Sequence, residues 1–383
     1  MKTQLTLAAL VAALGLPLPA SAADAAESPL STPAASPPPS SKLAAPARPP
    51  AATLYGFVNF QWSRTDAPFP VRDASTLETR RARIGARGDL LPQVGYVVLF
   101  DAADTSLKDA YGALKNLPVP GLEVRAGQWK TPFGYEQQES DTRLLWVNGS
   151  YAVQALARST TTSRLDAAGD ARDVGVGIVG RWPVGSVLGL DLAASVVNGA
   201  GPNRRDDLDE KNAWGRAGLS AKAGPATLKL GGSFGYGHQL AGLGTNGKFD
   251  GVGTPVDDTS FYFRTYGGDV TLDTPWVFAA VEVIQSERDV WNRETGARPD
   301  VTARGWYAGA YGKTPWKVGP VVRVEQFDRN RAVSGDRNER VTVGAYVDVV
   351  PVNARLVLNW ELDRSQKAVR AGDRAVVLAQ VIF

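Results

Sequence analysis

Arginines at alternate positions are the residues of this sequence with the clearest chemical potential. Arg81, Arg83 and Arg87 lie two and four positions apart, so one face of a β-strand would carry all three side chains. Arg81 and Arg83 would then lie about 7 Å apart along that strand. Guanidinium groups bind phosphate and carboxylate through paired donors, and an anion between two cations relieves their mutual repulsion. We therefore predict an anion path along Arg81, Arg83 and Arg87, with Arg125 and Lys130 as further members.

Structural charge pairing is the competing interpretation of these cations, because opposite charges often pair across neighbouring strands. Lys130 is the weakest candidate, since strand parity places its side chain on the outer face unless the chain bends before Pro132. The same parity places on the polar faces the cations Arg181, Arg216, Lys222, Lys229, Arg264, Arg304, Arg323, Arg340 and Arg355 and the acids Glu123, Asp173, Asp191, Glu282, Glu325, Asp348, Glu361 and Asp363.

Other chemistries receive little support from the sequence. There is no cysteine and one histidine, which excludes thiol catalysis and metal sites built from several cysteines or histidines, and we expect no cofactor. The run 242–247 matches a dinucleotide-binding pattern but lies in a polar loop with no helix after it. The formal net charge of +3 does not suggest nucleic-acid binding. A barrel hydrolase would use His238 with Ser233 or Asp250, but no spacing selects these residues, so we expect no enzyme.

Sixteen segments with β-strand character would hold the polar residues in place. Most are ten to fifteen residues long, and tight turns alternate with longer polar loops between them. They lie near 53–64, 76–90, 93–102, 107–116, 121–130, 172–183, 187–198, 211–222, 225–237, 259–272, 276–287, 301–314, 318–329, 338–350, 352–363 and 373–383.

Apolar and polar residues alternate within these segments. In the first, Leu54, Phe60 and Trp62 share one face, and Asn59 and Gln61 share the other. A period of two with one apolar face indicates a half-buried strand. A soluble sandwich would bury the apolar face in a core, whereas a membrane barrel exposes it to lipid and fills its lumen with polar groups.

Three features favour the membrane barrel. The short and long connections alternate, as in outer-membrane barrels. Trp182, Trp276 and Trp316 each adjoin a proline at a short turn, where aromatic rings suit a membrane interface. The arginines of the second segment could not be buried in a dry core without a large desolvation cost. We therefore predict an all-β fold, a transmembrane antiparallel barrel of sixteen strands, whose even strand number allows antiparallel closure.

The two ends of the chain carry features of an exported protein. Lys2, an apolar stretch at 5–18 and small residues at 20–22 predict a signal peptide over 1–22. The Pro- and Ala-rich segment 23–52 is interpreted as an extended periplasmic linker, and 53–383 as the outer-membrane β-barrel. The final strand ends on Phe383, which resembles the C-terminal aromatic signal that the outer-membrane assembly machinery reads.

Four segments resemble the phosphate-selective porin O and P family in their order and spacing: 80–85, 107–111, 124–134 and 172–176. The run Gly-Gln-Trp-Lys-Thr-Pro-Phe-Gly at 127–134 is the most specific of them, and the motifs cover about the first half of the barrel. The resemblance implies a water-filled, trimeric, sixteen-stranded barrel that passes anions. It also implies that the connection after the fifth strand, here 131–171, folds into the lumen as a constriction loop.

The same connection could instead be an outer lid. Its side chains carry both positive and negative charges, which weakens the case for strict phosphate selectivity. The Pro-rich N-terminal extension also differs from the family pattern. From the residues and the resemblance together, we predict a porin in the bacterial outer membrane, surrounded by lipid. It would allow passive diffusion of small solutes with a preference for anions such as phosphate. We expect it to form a homotrimer and not to bind nucleic acid. The alternative is a closed structural or adhesive barrel without significant conductance.

Overall fold

The described part of the chain forms one closed antiparallel β-barrel. The computed structural model describes residues 52–66, 74–157, 171–206, 209–240, 260–289, 300–351, 353–366 and 370–383. Within these ranges, sixteen strands each pair with their sequence neighbours, and the last strand pairs with the first, as predicted. The strands are Thr53–Asp66 (β1), Ala74–Leu91 (β2), Val94–Asp101 (β3), Ser106–Leu114 (β4), Leu122–Lys130 (β5), Arg172–Val184 (β6), Leu188–Val197 (β7), Asn212–Ala223 (β8), Ala226–Leu240 (β9), Ser260–Asp273 (β10), Val277–Asp289 (β11), Asp300–Gly312 (β12), Val318–Asp328 (β13), Arg337–Val350 (β14), Ala354–Asp363 (β15) and Asp373–Ile382 (β16).

The apolar faces of the strands point out of the barrel. On β1, Leu54 is 71% exposed and Phe60 is 56% exposed, whereas Asn59 and Gln61 are buried inside. Large apolar side chains are exposed in the same way on most of the other strands. So much exposed apolar surface is incompatible with water but matches the lipid-facing band of an outer-membrane barrel. The interpretation as a membrane barrel is therefore confirmed.

The two ends of the barrel differ in their connections. Turns such as 92–93, 185–187 and 274–276 are short, and we call this the inner end. At the opposite, outer end, the connection between β7 and β8 spans 198–211. The predicted signal peptide and all but the last residue of the predicted linker lie outside the described residues. Among the described residues, no helix is long and apolar enough to cross a membrane.

The described part of the connection after β5, residues 131–157, runs inside the barrel. Its backbone contacts strands on different sides of the lumen: the Tyr135 N–H donates to Glu282 on β11 at 3.2 Å, and the Val147 N–H donates to Asn359 on β15 at 2.7 Å. A short helix, α1 (Tyr151–Leu156), contacts β11, β12 and β13. A lid over the outer end would not contact walls at this depth, so the prediction of a lumen-folded loop is confirmed for this part. Residues 158–170 of the predicted range lie outside the described residues.

An apolar core lies inside the barrel, between this loop and the wall. Phe133, Trp146 and Leu156 are almost completely buried and belong to one cluster with Tyr307 on β12. The ring of Trp146 lies over Gly309, where a Cβ atom would approach it to 2.8 Å. The loop is therefore packed against β11–β13, whose lumenal faces combine apolar and small residues with the buried charges of Glu282, Arg323 and Glu325.

Two β-bulges change which residues face the lumen. Asn59 pairs with Arg81 and Phe60 with Thr79, which leaves Arg80 as the extra residue of β2. On β4, Lys108 is the extra residue in the same way, because the register shifts where β4 pairs with β3. A bulge turns two successive side chains towards the same side of a sheet. Each bulge therefore adds a cation to the lumenal face.

Candidate functional site

Arg81 and Arg83 lie side by side on the lumenal face of β2, as predicted, but the protein supplies their counter-ions. Arg81 Nε and Nη2 donate to the two carboxylate oxygens of Asp141 at 2.6 and 3.2 Å. Arg83 Nη1 donates to Asp141 at 2.8 Å, and its Nε donates to Asp101 at 2.8 Å. One carboxylate of the loop thus bridges both arginines.

Asp141 is ionised in this arrangement. Burial by itself would raise the pKa of this carboxyl, but the positive charges of Arg81 and Arg83 outweigh the effect of burial. The pKa of Asp141 is therefore held well below its usual range. The bridge is a charged one throughout the neutral range of pH.

Arg80 is a lumenal cation that the sequence pattern missed. Its Nη1 donates to Gln61 at 2.7 Å and to Asn148 at 3.2 Å, and its Nη2 donates to the Val147 carbonyl at 3.1 Å. Strand parity places Arg80 outside the barrel, and the bulge reverses that placement. A single sequence with period two does not show where a bulge interrupts the period.

Arg87 and Arg125 lie nearer the inner end than Arg81 and Arg83. The Arg87 guanidinium lies 5.3 Å from the centre of the Tyr55 ring. Arg125 Nε donates to Glu123 at 2.6 Å, and its guanidinium lies 4.9 Å from the centre of the Tyr111 ring. The predicted set is therefore spread along the lumen and does not converge on one binding point.

Lys130 points into the lumen, which strand parity allowed only if the chain bends before Pro132. The chain leaves β5 after this residue, and Lys130 Nζ donates to the Glu139 carbonyl of the loop at 2.7 Å. The bend before Pro132 is the condition under which the sequence allowed a lumenal position. Lys130 has no carboxylate partner among the described residues, and it contacts two lumenal cavities.

Three cavities follow one another along the lumen. The outer cavity has a volume of about 190 Å³ and lies between the loop and the arginines of β2. The central cavity, about 440 Å³, lies between the loop and β5–β9, and it shares Lys130 with the outer one. The inner cavity, about 610 Å³, shares Tyr135, Glu139, Arg143 and Lys229 with the central one. The loop therefore narrows the lumen and leaves space beside β2–β9 in the outer and central cavities and beside β10–β16 in the inner one.

Positive charge predominates around the central cavity. Small wall residues, among them Ala193, Gly218 and Ser220, leave room there. Arg143 on the loop is 76% exposed and 3.6 Å from Glu139. Lys229 is exposed and has no ion pair within the described ranges. The charged residues that line this cavity are the cations Arg125, Lys130, Arg143, Arg181, Arg216 and Lys229 and the acids Glu139 and Asp191.

The lumenal placement predicted for Arg264 and Arg304 is wrong. Both side chains are exposed on the outside of the barrel, where Arg264 lies 3.9 Å from Glu287. Their strands present Phe263 and Ala303 to the interior instead. On β10, Gly267 faces inward and receives Phe133 of the loop, and Asp269 faces inward and binds Arg216, so the alternate residue Arg264 is turned outward.

Structural pairing is the correct interpretation for several other arginines. Arg323 and Arg340 are buried and both bind Glu325, and Arg340 also binds Glu361 at 3.2 Å. Arg323 is 3.4 Å from Glu136 of the loop. These charges fasten the loop to β13–β15 and are closed to solutes.

The residues proposed for a hydrolase are separated by the strand itself. Ser233 faces the lumen, where it accepts hydrogen bonds from the Gly134 N–H at 2.9 Å and from Arg216 at 3.1 Å. His238 lies an odd number of residues further along β9, beside Tyr236, and therefore faces outward. Asp250 lies outside the described residues. A Ser233–His238 pair does not form.

Solved structures of outer-membrane proteins share this fold. OmpT, an outer membrane protein of Vibrio cholerae, superposes with a TM-score of 0.58 at 13% identity, covering 88% of this chain and 99% of that one. OmpF of Salmonella typhi, in complex with daunomycin, gives 0.55 at 12% identity, covering 88% and 98%. The outer membrane channel DcaP of Acinetobacter baumannii gives 0.52 at 12% identity, covering 87% and 97%. At such low identities the likeness concerns the fold alone.

No curated protein sequence matches the chain. The model of the phosphate-selective porin O and P family matches residues 57–346, which is most of the barrel and more than half of the sequence. The chain therefore belongs to the phosphate-selective porin O and P family.

Proposed function

We propose that this protein is a diffusion channel of the bacterial outer membrane that passes small solutes and prefers anions such as phosphate. Family membership supports the location and the transport role. The observation that carries the anion preference is the central cavity, whose lining holds six cationic and two acidic side chains. Selectivity in a wide pore arises from such an excess of one charge sign at the narrow part.

The proposed path leads from the outer cavity past Lys130, through the central cavity, and past Arg143 and Lys229 to the inner cavity. Arg125 and Arg216 take part less, because Glu123 and Asp269 neutralise them. Arg143 and Arg181 are likewise paired, with Glu139 and Asp191, so Lys130 and Lys229 supply most of the field that acts on a solute. The role is transport without catalysis, in keeping with the opposite orientations of Ser233 and His238.

A homotrimer is part of the proposal. OmpT of Vibrio cholerae, which shares the fold, has a structure described as a trimer form. The lipid-facing apolar band offers room for contacts between copies as well as with lipid. Insertion through the assembly machinery, with Phe383 as its recognition signal, is likewise proposed.

Reversal potentials in planar bilayers test this function. The full-length protein would be incorporated at low density, and the reversal potential measured in a potassium chloride gradient and again with phosphate in place of chloride. We expect stepwise open channels and a reversal potential of the sign that anion permeation gives. A preference for potassium would overturn the anion preference.

Absence of conductance would favour the closed barrel, in which the loop acts as a plug. That outcome is meaningful only if the protein has inserted, so insertion needs an independent check. Protease protection of reconstituted barrels provides one, because a folded barrel resists cleavage of its strands.

A further inference from the structure

We propose that Asp141 is a built-in competitor for the permeating anion. Its carboxylate occupies an oxyanion site formed by Arg81 and Arg83 and thereby weakens the binding of free phosphate or carboxylate there. The proposal rests on the proposed function, because it names a residue that sets the strength of anion binding along the path.

The geometry around Asp141 is that of a bound oxyanion. Its two oxygens accept from Arg81 at 2.6 and 3.2 Å, and the oxygen at 2.6 Å also accepts from Arg83 at 2.8 Å. Paired donors from a planar guanidinium are what a phosphate or a free carboxylate also requires. Every hydrogen bond that Asp141 makes to these arginines could therefore be made by a solute.

Solutes can reach this site. The side chains of Asp141 and Arg81 are 28% and 24% exposed. They line the outer cavity of about 190 Å³, far more than the roughly 15 Å³ that one water needs. The site is thus an accessible part of the lumen and differs from the sealed ion pairs of Arg323 and Arg340.

Removal of the Asp141 charge would leave unbalanced positive charge. Arg83 would keep Asp101 as a partner at 2.8 Å, but Arg81 has no other ion pair among the described residues. Lys130 and Arg80 line the same cavity, and their hydrogen bonds within the described part of the chain go to uncharged groups. A free oxyanion would therefore meet one vacant guanidinium and two further cations.

A tethered carboxylate competes efficiently because its effective concentration is high, on the order of millimolar or above for short tethers. Asp141 is tethered near β2 by its own loop, in which the carbonyl of Glu139, two residues earlier, accepts a hydrogen bond from Lys130 Nζ at 2.7 Å. Competition of this kind favours transport, since a channel must bind a solute weakly enough to release it. Asp141 is one of the acidic residues that give the loop its mixed charge. Its contact with Arg81 and Arg83 provides a functional reason for an acid at this position.

The test compares phosphate binding by the wild type, Asp141→Asn and Glu287→Gln. Glu287 is the control, because it lies 3.9 Å from Arg264 on the outside of the barrel, away from the lumen, and its loss changes the net charge equally. Equilibrium dialysis of detergent-solubilised protein against radiolabelled inorganic phosphate at low chloride measures binding directly. We expect Asp141→Asn to bind phosphate roughly tenfold more tightly, the worth of one charge-assisted hydrogen bond, and Glu287→Gln to remain at wild-type affinity.

A double variant locates the gained site. Arg81→Gln combined with Asp141→Asn should return to wild-type affinity; retention of the gain would place the anion elsewhere and overturn the proposal. An affinity of Asp141→Asn no higher than that of Glu287→Gln would also overturn it. Asp141→Ser guards against a folding defect peculiar to the asparagine, and failure of both variants to fold would show a structural role in place of competition.

Binding in detergent is independent of conduction. If the wild type conducts without anion preference, the proposed function fails while the dialysis comparison still decides the role of Asp141. If the wild type is anion-selective but the variants bind phosphate equally, the function stands and the competitor is excluded.

Discussion

Individual charges in this lumen matter according to their partners. Arg323 and Arg340 both bind Glu325 and are buried between the loop and the wall. Arg83 forms ion pairs with both Asp101 and Asp141. Counting the cations on polar faces therefore overstates the field that a solute experiences. The cations that act most strongly are those that line a cavity and have no carboxylate partner among the described residues, such as Lys130 and Lys229.

Lys229 is the clearest case of a free lumenal cation. It lines both the central and the inner cavity, so a solute passing between them must pass its ammonium group. We predict that Lys229→Gln lowers the permeability ratio of chloride to potassium by a factor of roughly two to five, the effect of one charge at close range in water. Reversal potentials of the variant and the wild type measure the ratio.

Arg264→Gln is the control for this change. It removes the same charge from the outside of the barrel, where Arg264 lies beside Glu287. We expect its permeability ratio to equal that of the wild type. Equal losses in the two variants would mean that overall charge, and not a lumenal position, determines the selectivity.

The strands are the elements that the sequence predicts best. The first was expected at 53–64 and is found at Thr53–Asp66, and the ninth was expected at 225–237 and is found at Ala226–Leu240. The agreement has a physical cause: each strand must cross the same apolar layer, so alternation of fixed length recurs along the chain. Register is specified wherever one face must meet lipid.

The faces are less predictable than the strands. A bulge depends on the pairing of two strands, so the lumenal position of Arg80 cannot be inferred from β2 alone. Arg264 faces outward because Asp269 faces inward to bind Arg216 and Gly267 faces inward to receive Phe133 of the loop. In both cases contacts distant in sequence determine which residues face the lumen.

The constriction loop owes its position to aromatic packing as well as to charge. Trp146 is 1% exposed and contacts Tyr307 and Tyr311, with ring centres at 6.1 and 6.4 Å. We predict that Trp146→Ala weakens docking of the loop by about 3–5 kcal/mol, as for other buried aromatic residues. The barrel should remain folded, because its strand pairing does not involve this side chain.

Single-channel recording measures the consequence as a larger and noisier conductance, and limited proteolysis measures it as faster cleavage within 131–157. Trp316→Ala is the matched control, because Trp316 is 82% exposed at an inner turn. Its channels should resemble the wild type. A quiet channel of unchanged conductance in Trp146→Ala would show that other contacts alone hold the loop.

At the scale of the whole molecule, the loop divides the middle of the lumen into a side where it is attached to the wall and a side where a cavity stays open. Loop and wall are joined by the apolar cluster and by buried ion pairs at β11–β15, whereas small residues leave the central cavity open at β6–β8. Which strands contact the loop could not be predicted from the sequence, because the answer depends on the position of the loop inside a closed barrel. The bridge from Asp141 to Arg81 joins residues far apart in sequence for the same reason.

Closure of the barrel depends on the pairing of its first and last strands. The Phe383 N–H donates to the Gly56 carbonyl at 3.0 Å, and the Gly56 N–H donates to the Phe383 carbonyl at 2.9 Å. The Phe383 ring lies across Gly56, where a Cβ atom would approach it to 2.6 Å. An open seam would leave unpaired backbone groups in lipid, where each is costly.

We predict that deletion of Phe383 lowers the yield of protein assembled in the outer membrane much more than the conductance of the barrels that do assemble. The deletion removes two backbone hydrogen bonds at the seam and the terminal aromatic side chain, but no lumenal group. Quantification of folded protein in outer-membrane fractions measures yield, and bilayer recording of the purified remainder measures conductance. Phe60→Ala is the control, because Phe60 is a similarly exposed ring on the lipid face of β1, away from the chain end. A normal yield without Phe383 would mean that the other pairs between β1 and β16 suffice both for recognition and for closure.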